Sequence, residues 1–204
     1  MATAIDICNL ALSHIGKPSI NDFGEATAEA REANRHYGPS RRSLLQSSDW
    51  TFARKRVALA KLAPDFEERW RYTYAQPQAM LQARRIVRPR FDPRTDPRPV
   101  PFEIRGGKVY TDIDSAHLEF TQDLETTGMF PSLFSDALAA LLAFRFARAL
   151  TRSTNLTREM REESRDALSR AVEADSAQDV GRYTYDADAL LDRDATRPHP
   201  FWGF

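Results

Sequence analysis

Asp112 and Asp114 flank the end of a hairpin signal and could act as the paired carboxylates of a small hydrolase, one acid protonated and one ionised. Neither has a basic partner or a pocket that the sequence can name, so loop acids are the simpler reading. A second chemistry-bearing stretch is basic. Arg84, Arg85, Arg88, Arg90, Arg94 and Arg98 run together with prolines and Phe91, a pattern that could meet a nucleic-acid backbone. The interleaved prolines and the balanced net charge favour instead a loop that faces a protein, with Arg88, Arg90, Phe91, Arg94 and Arg98 as its contact residues. The four histidines, His14, His36, His117 and His199, fall on unrelated elements. Cys8 and His14 are the nearest soft-ligand pair, but six positions place them on different sides of a helix, so Cys8 reads as a buried structural thiol. No phosphate-binding glycine loop, HExxH helix, paired CxxC or GxSxG elbow occurs. The expectation is therefore no enzyme, no cofactor and no metal.

The 204 residues suffice for one good core, or one core with a smaller satellite. Charge is abundant and balanced, 29 basic against 29 acidic residues, which argues against a dedicated nucleic-acid binder. The single cysteine excludes an internal disulfide and suits a chain folded in a reducing cytoplasm. No secretory leader is visible, so the Asn155-Leu156-Thr157 glycosylation match reads as accidental.

Residues 130–150 form the most apolar and regular run. Leu133, Phe134, Ala137, Leu138, Leu141, Leu142, Arg145 and Ala149 follow helical spacing, and Phe130, Ala140, Phe144, Phe146 and Leu150 extend apolar surface round the cylinder. This predicts a central helix with neighbours on several sides. Ser135, Asp136, Arg145 and Arg148 interrupt it too closely for a membrane span, and no membrane association is expected. Thr3 and Asp6 announce a first helix that ends at Gly16 and Pro18. A second helix should begin near residue 25, bury Ala26, Ala30, Ala33, Tyr37, Leu44 and Leu45, and kink or break at Tyr37-Gly38-Pro39. Leu156, Met160, Ala167, Leu168, Ala171 and Ala174 mark a last helix to about residue 177. Its other face carries Arg158, Arg161, Glu162, Glu163, Arg165, Asp166 and Arg170, either solvated with salt bridges or a polar protein interface.

Between the helical halves the texture turns to period two. Residues 50–62, 70–74 and 84–87 read as extended segments. Residues 102–105, a Gly106-Gly107 turn and residues 108–111 read as a hairpin, continued by 117–121. Five prolines within residues 88–101 demand an exposed loop. The fold class is thus α+β: a bundle of about four helices with an inserted antiparallel β-rich domain and an extended C-terminal tail. The segments are 1–49 and 126–178 for the helical domain, 50–125 for the insertion and 179–204 for the tail.

The succession ICNLALSHIGKPSI, YGPSRRSLLQSSDWTFARKRVALA, WRYTYAQPQAMLQARRI, GGKVYTD and FPSLFSDALAALLAFRFARALT resembles the tail tubular protein A family of short-tailed bacteriophages, in order from about residue 5 to about residue 178. The resemblance implies a virion protein at the head-tail interface: an adaptor that assembles as a ring, typically of about twelve copies. Its partners would be further copies of itself, the portal protein above, a tail nozzle protein of the tail tubular protein B type below, and tail fibres. DNA would pass through the lumen without specific binding. The family has no shared catalytic residues to carry over. In the tail, Tyr183, Tyr185, Leu190, Leu191, Phe201, Trp202 and Phe204 are expected to dock on the portal or on a neighbouring subunit, since burying large aromatics can offset the entropy of ordering the segment.

Overall fold

In a computed structural model of the chain, residues 2–63, 69–88 and 99–179 are described. Helix α1 (Ala4–His14) opens on a reciprocal cap: the Asp6 N–H donates to Thr3 Oγ1 at 3.1 Å, and the Thr3 N–H donates to the Asp6 carboxylate at 2.8 Å. Those bonds favour the ionised acid and hold the Asp6 carboxyl below its ordinary value. The helix buries Ile7, Cys8, Ala11 and Leu12, as the spacing predicts. Beyond it, Asn9 clamps the returning loop by donating to the Ile20 carbonyl at 2.9 Å and accepting the Ile20 N–H at 2.8 Å.

Helix α2 (Ala28–Ser47) begins later than expected, at the Thr27 cap, and leaves Ala26 exposed outside it. It also runs through Pro39 rather than breaking there. Pro39 cannot bond the carbonyl four residues back, but the next residue's hydroxyl donates to the His36 carbonyl at 2.6 Å. On one side of the proline Ala30 and Ala33 are buried, and on the other Ser40, Arg41, Leu44 and Leu45. Burial of both halves against one core outweighs the missing backbone bond.

Helix α3 (Ser132–Leu150) is the centre of the bundle, packing on α1, on α2 and on α4 (Thr154–Asp179). Phe134, Ala137, Leu138, Ala139, Ala140, Leu142, Ala143, Phe146 and Ala147 are buried. This is wider than a single stripe, as expected of a helix covered on several sides. Two residues of the expected face lie outside it: Leu133 and Ala149 are exposed.

Two three-stranded antiparallel sheets lie in the chain between α2 and α3. One has the order β1 (Arg54–Ala58), β6 (His117–Gln122), β3 (Met80–Val87), and the other β2 (Tyr72–Ala75), β5 (Lys108–Thr111), β4 (Phe102–Arg105). The β4–β5 hairpin closes on Gly106 and Gly107 with φ of 57° and 74°, the pair of positive angles that a two-residue type I′ turn requires. The strand at 117–122 does not continue that hairpin. It crosses to the other sheet and becomes its centre, with Leu118 opposite Val57 on one side and Ile86 on the other. Leu118 and Phe120 thereby join Leu59, Tyr74, Ile86, Val100, Val109 and Ala116 in a second core between the sheets. Trp50, Ala53 and Leu124, at the ends of the β-rich stretch, pack instead into the helical core.

Candidate interaction site

Where the helical core meets the sheets, four aromatic rings stack edge to face. Phe134 on α3 is 5.1 Å from Trp50, 4.9 Å from Phe52 and 4.9 Å from Phe130, centroid to centroid. The buried Trp50 indole donates to the Leu44 carbonyl at 2.8 Å, which fixes the first turn after α2. A 3-10 turn (Thr51–Ala53) follows, and α4 holds it: Asp175, itself buried, accepts the Thr51 N–H at 2.9 Å and the Thr51 hydroxyl at 2.7 Å. Above this cluster lies a cavity of about 210 Å³ lined by Trp50, Pro131, Leu133, Phe134, Ala171 and Ala174, with Ser132, Asp175 and Gln178 as its polar lining. Of the lining residues Leu133 is 42% exposed. A mainly apolar notch with Leu133 facing water is suited to receive a side chain from another protein; Asp175 is its one lining acid and is held by Thr51.

The same boundary is locked by charge. Arg41 on α2, 4% exposed, is 2.6 Å from Asp123 and 3.4 Å from Glu125, and Arg42 is 3.0 Å from Asp123. Arg84 on β3 donates to Thr121 at 2.8 Å and to the Ser48 carbonyl at the end of α2, and lies 3.6 Å from Asp49. Burial makes its positive charge costlier and lowers its pKa. In the sheet itself Glu119, buried on the central strand, is flanked by its cross-strand partners Arg56 and Arg85 and paired with both. Burial raises the Glu119 pKa, but the hydrogen bonds and charges of Arg85 and Arg56 together outweigh it, and the carboxyl sits below its ordinary value.

These contacts redistribute the residues singled out in the sequence. Arg84 and Arg85 belong to the fold's internal pairing, Arg88 is half-buried just past β3, and Arg90, Phe91, Arg94 and Arg98 lie outside the described residues. So do Tyr183, Tyr185, Leu190, Leu191, Phe201, Trp202 and Phe204. Asp112 accepts the Arg71 N–H at 3.0 Å, whereas Asp114 pairs with Lys61 at 3.0 Å and accepts the Ser115 N–H. The Lys61 hydrogen bond lowers the Asp114 pKa and raises that of Lys61. Both carboxylates thus stabilise loops, on separate partners. His14 faces Glu163 at 3.9 Å and His36 faces Glu32 at 3.2 Å, so these two imidazoles are not brought together. Cys8 is fully buried, and desolvation pushes its thiol up to about 12. Among the described residues no group of three or more histidine, cysteine or acidic side chains could hold a metal, and no helix is long and apolar enough to cross a membrane.

The notch at Leu133 was missed in the sequence because Leu133 fits the helical stripe of buried residues. The residue that distinguishes it is Pro131, the N-cap of α3, which puts Leu133 in the first turn of the helix, where it lines the notch with α4 but stays exposed. No family model matches the chain, and no curated protein matches it.

Proposed function

We propose that the chain is a structural virion protein of a short-tailed phage, a subunit of the head-to-tail adaptor ring that joins the portal to the tail nozzle and forms part of the DNA passage. The observation that supports this reading most is the junction. A helical core and a β core, built from interleaved parts of one chain, are joined by the Arg41–Asp123 pair, the Arg84 contacts and the Asp175–Thr51 clamp. In this reading the joined body carries load between portal and nozzle. The segments quoted above, in their order, support the choice of family. In this reading the notch at Leu133 receives an apolar side chain of an adjacent copy, and residues 183–204 dock on the portal or a neighbour. A ring closes by repeating one such head-to-tail contact, for which exposed charges of both signs on α4 provide a polar rim.

The reading is tested by labelling particles released from cells that carry the encoding genome with an antibody against the purified chain. Label at the single tail-bearing vertex is expected. Absence of the chain from purified particles would overturn the assignment.

A further inference from the structure

The end of the bundle away from the sheets has a different character from the notch. There the first half of α2 meets the last turns of α3, with the His36 ring 6.4 Å from that of Phe146. A cavity of about 510 Å³ opens between them, lined by Arg35, His36, Arg145, Arg148, Phe144 and Glu32. A second, of about 430 Å³, adjoins it across Arg148 and is lined by Arg152 and the hydroxyl residues Thr151, Ser153, Thr154 and Thr157 at the turn into α4. The one acid in either lining, Glu32, is already engaged by Arg35 at 2.8 Å and by His36 at 3.2 Å. Arg145 is half-buried beside Phe144 with no acid within ion-pair distance among the described residues, and its desolvation lowers its pKa. The chain as a whole carries no net charge, so this end concentrates cations that are balanced elsewhere.

We infer that this basic track across the end of the bundle binds the phosphodiester backbone of duplex DNA without reading its sequence. A single carboxylate of a partner would need one guanidinium at one point. Here Arg145, Arg148 and Arg152 line two adjoining open cavities that share Arg148, beside the Arg35 that pairs with Glu32 and the hydroxyls of Ser153 and Thr154, the arrangement that successive phosphates fill. The track lies across residues of α2, α3 and the start of α4 and not along one helix face laid into a groove, so affinity comes from counterion release. The inference does not rest on ring assembly: it concerns the surface of the single chain. It refines the expectation of free DNA passage, since non-specific contacts of this kind are weak at physiological salt, with dissociation constants on the order of 10⁻⁴ to 10⁻⁶ M.

The test is fluorescence anisotropy of a labelled 20-base-pair duplex titrated with the full chain at several NaCl concentrations. Three phosphate contacts, from Arg145, Arg148 and Arg152, predict that the logarithm of the binding constant falls with the logarithm of salt at a slope of about −2.7. The double variant Arg145→Gln/Arg148→Gln should bind at least about tenfold more weakly at low salt and lose about 1.8 from the slope. A control, Arg165→Gln/Arg170→Gln, removes two exposed cations further along α4 and should leave the slope unchanged. If the first pair disturbs folding, Arg148→Gln/Arg152→Gln, both exposed positions, replaces it. No binding at low salt, or equal losses in test and control variants, would overturn the inference. So would saturable binding of poly-glutamate with none of DNA, which would assign the track to protein carboxylates.

Discussion

Arg41 on α2 and Asp123, just past the end of β6, stand 2.6 Å apart across the line where the helical and β cores meet. The guanidinium is almost wholly buried and the carboxylate partly so; Arg42 and Glu125 complete a four-charge cluster. Removing one partner leaves a charge buried without adequate compensation, a loss typically of about 3 to 5 kcal/mol for buried pairs. Asp123→Ala should therefore destabilise the chain by about 3 kcal/mol, the low end because Glu125 remains near Arg41. Chemical denaturation checks this, and an unchanged midpoint would show that the pair contributes nothing to holding the two cores together.

Leu142, fully buried at the centre of α3, should cost about 2 to 5 kcal/mol when changed to alanine, through lost burial and the cavity left behind. Leu141 is only half-buried, so Leu141→Ala should cost clearly less. Equal effects of the two substitutions would contradict the orientation of the central helix.

Glu119 makes stability depend on acid. Its folded pKa lies below the ordinary value of 4.5, so its contribution is fully present above that value and is lost as pH falls through the lower, folded pKa. Wild type should lose stability on going from neutral pH to below pH 4.5 by more than Glu119→Gln does, and the gap between the two should narrow as pH falls. A constant gap across that range would show that the carboxylate's ionisation is not what Arg56 and Arg85 reward.

Cys8, with its thiol pushed up to about 12 and no surface exposed, should resist a disulfide exchange reagent at pH 8 while the chain is folded and react fully in denaturant. Rapid modification of the folded chain would show that α1 does not stay packed on α3.

The parts legible in the sequence were those fixed by local pattern. Residues 132–150 are apolar on most sides, so no placement other than the centre of the bundle satisfies them, and the Gly106-Gly107 pair leaves few choices of turn. What could not be read depends on contacts between distant residues. Pro39 argues for a break, yet Leu44 and Leu45 on one side and Ala30 and Ala33 on the other bury against the same core, and the helix continues. The period-two pattern at 117–122 identifies a strand but not its partners, which turn out to be β1 and β3 and not the adjacent β5. The arginines that looked like one basic run diverge, because Arg85 points to Glu119 and Arg84 to Ser48. Conversely, the basic track joins Arg35 to Arg145, Arg148 and Arg152, residues far apart in sequence with no shared motif.

The central claim, an adaptor subunit that closes into a ring on its portal, is tested most directly by measuring the mass of the purified chain alone and mixed with the portal protein of the same genome. No long apolar stripe remains uncovered once the described helices pack on α3, so the chain alone should have a mass near 23.2 kDa at low micromolar concentration. With portal rings it should add in a fixed number of copies, about twelve for a ring matched to its template. Stable rings of the chain alone would contradict the templated assembly, and portal rings that gain no mass would contradict the account itself.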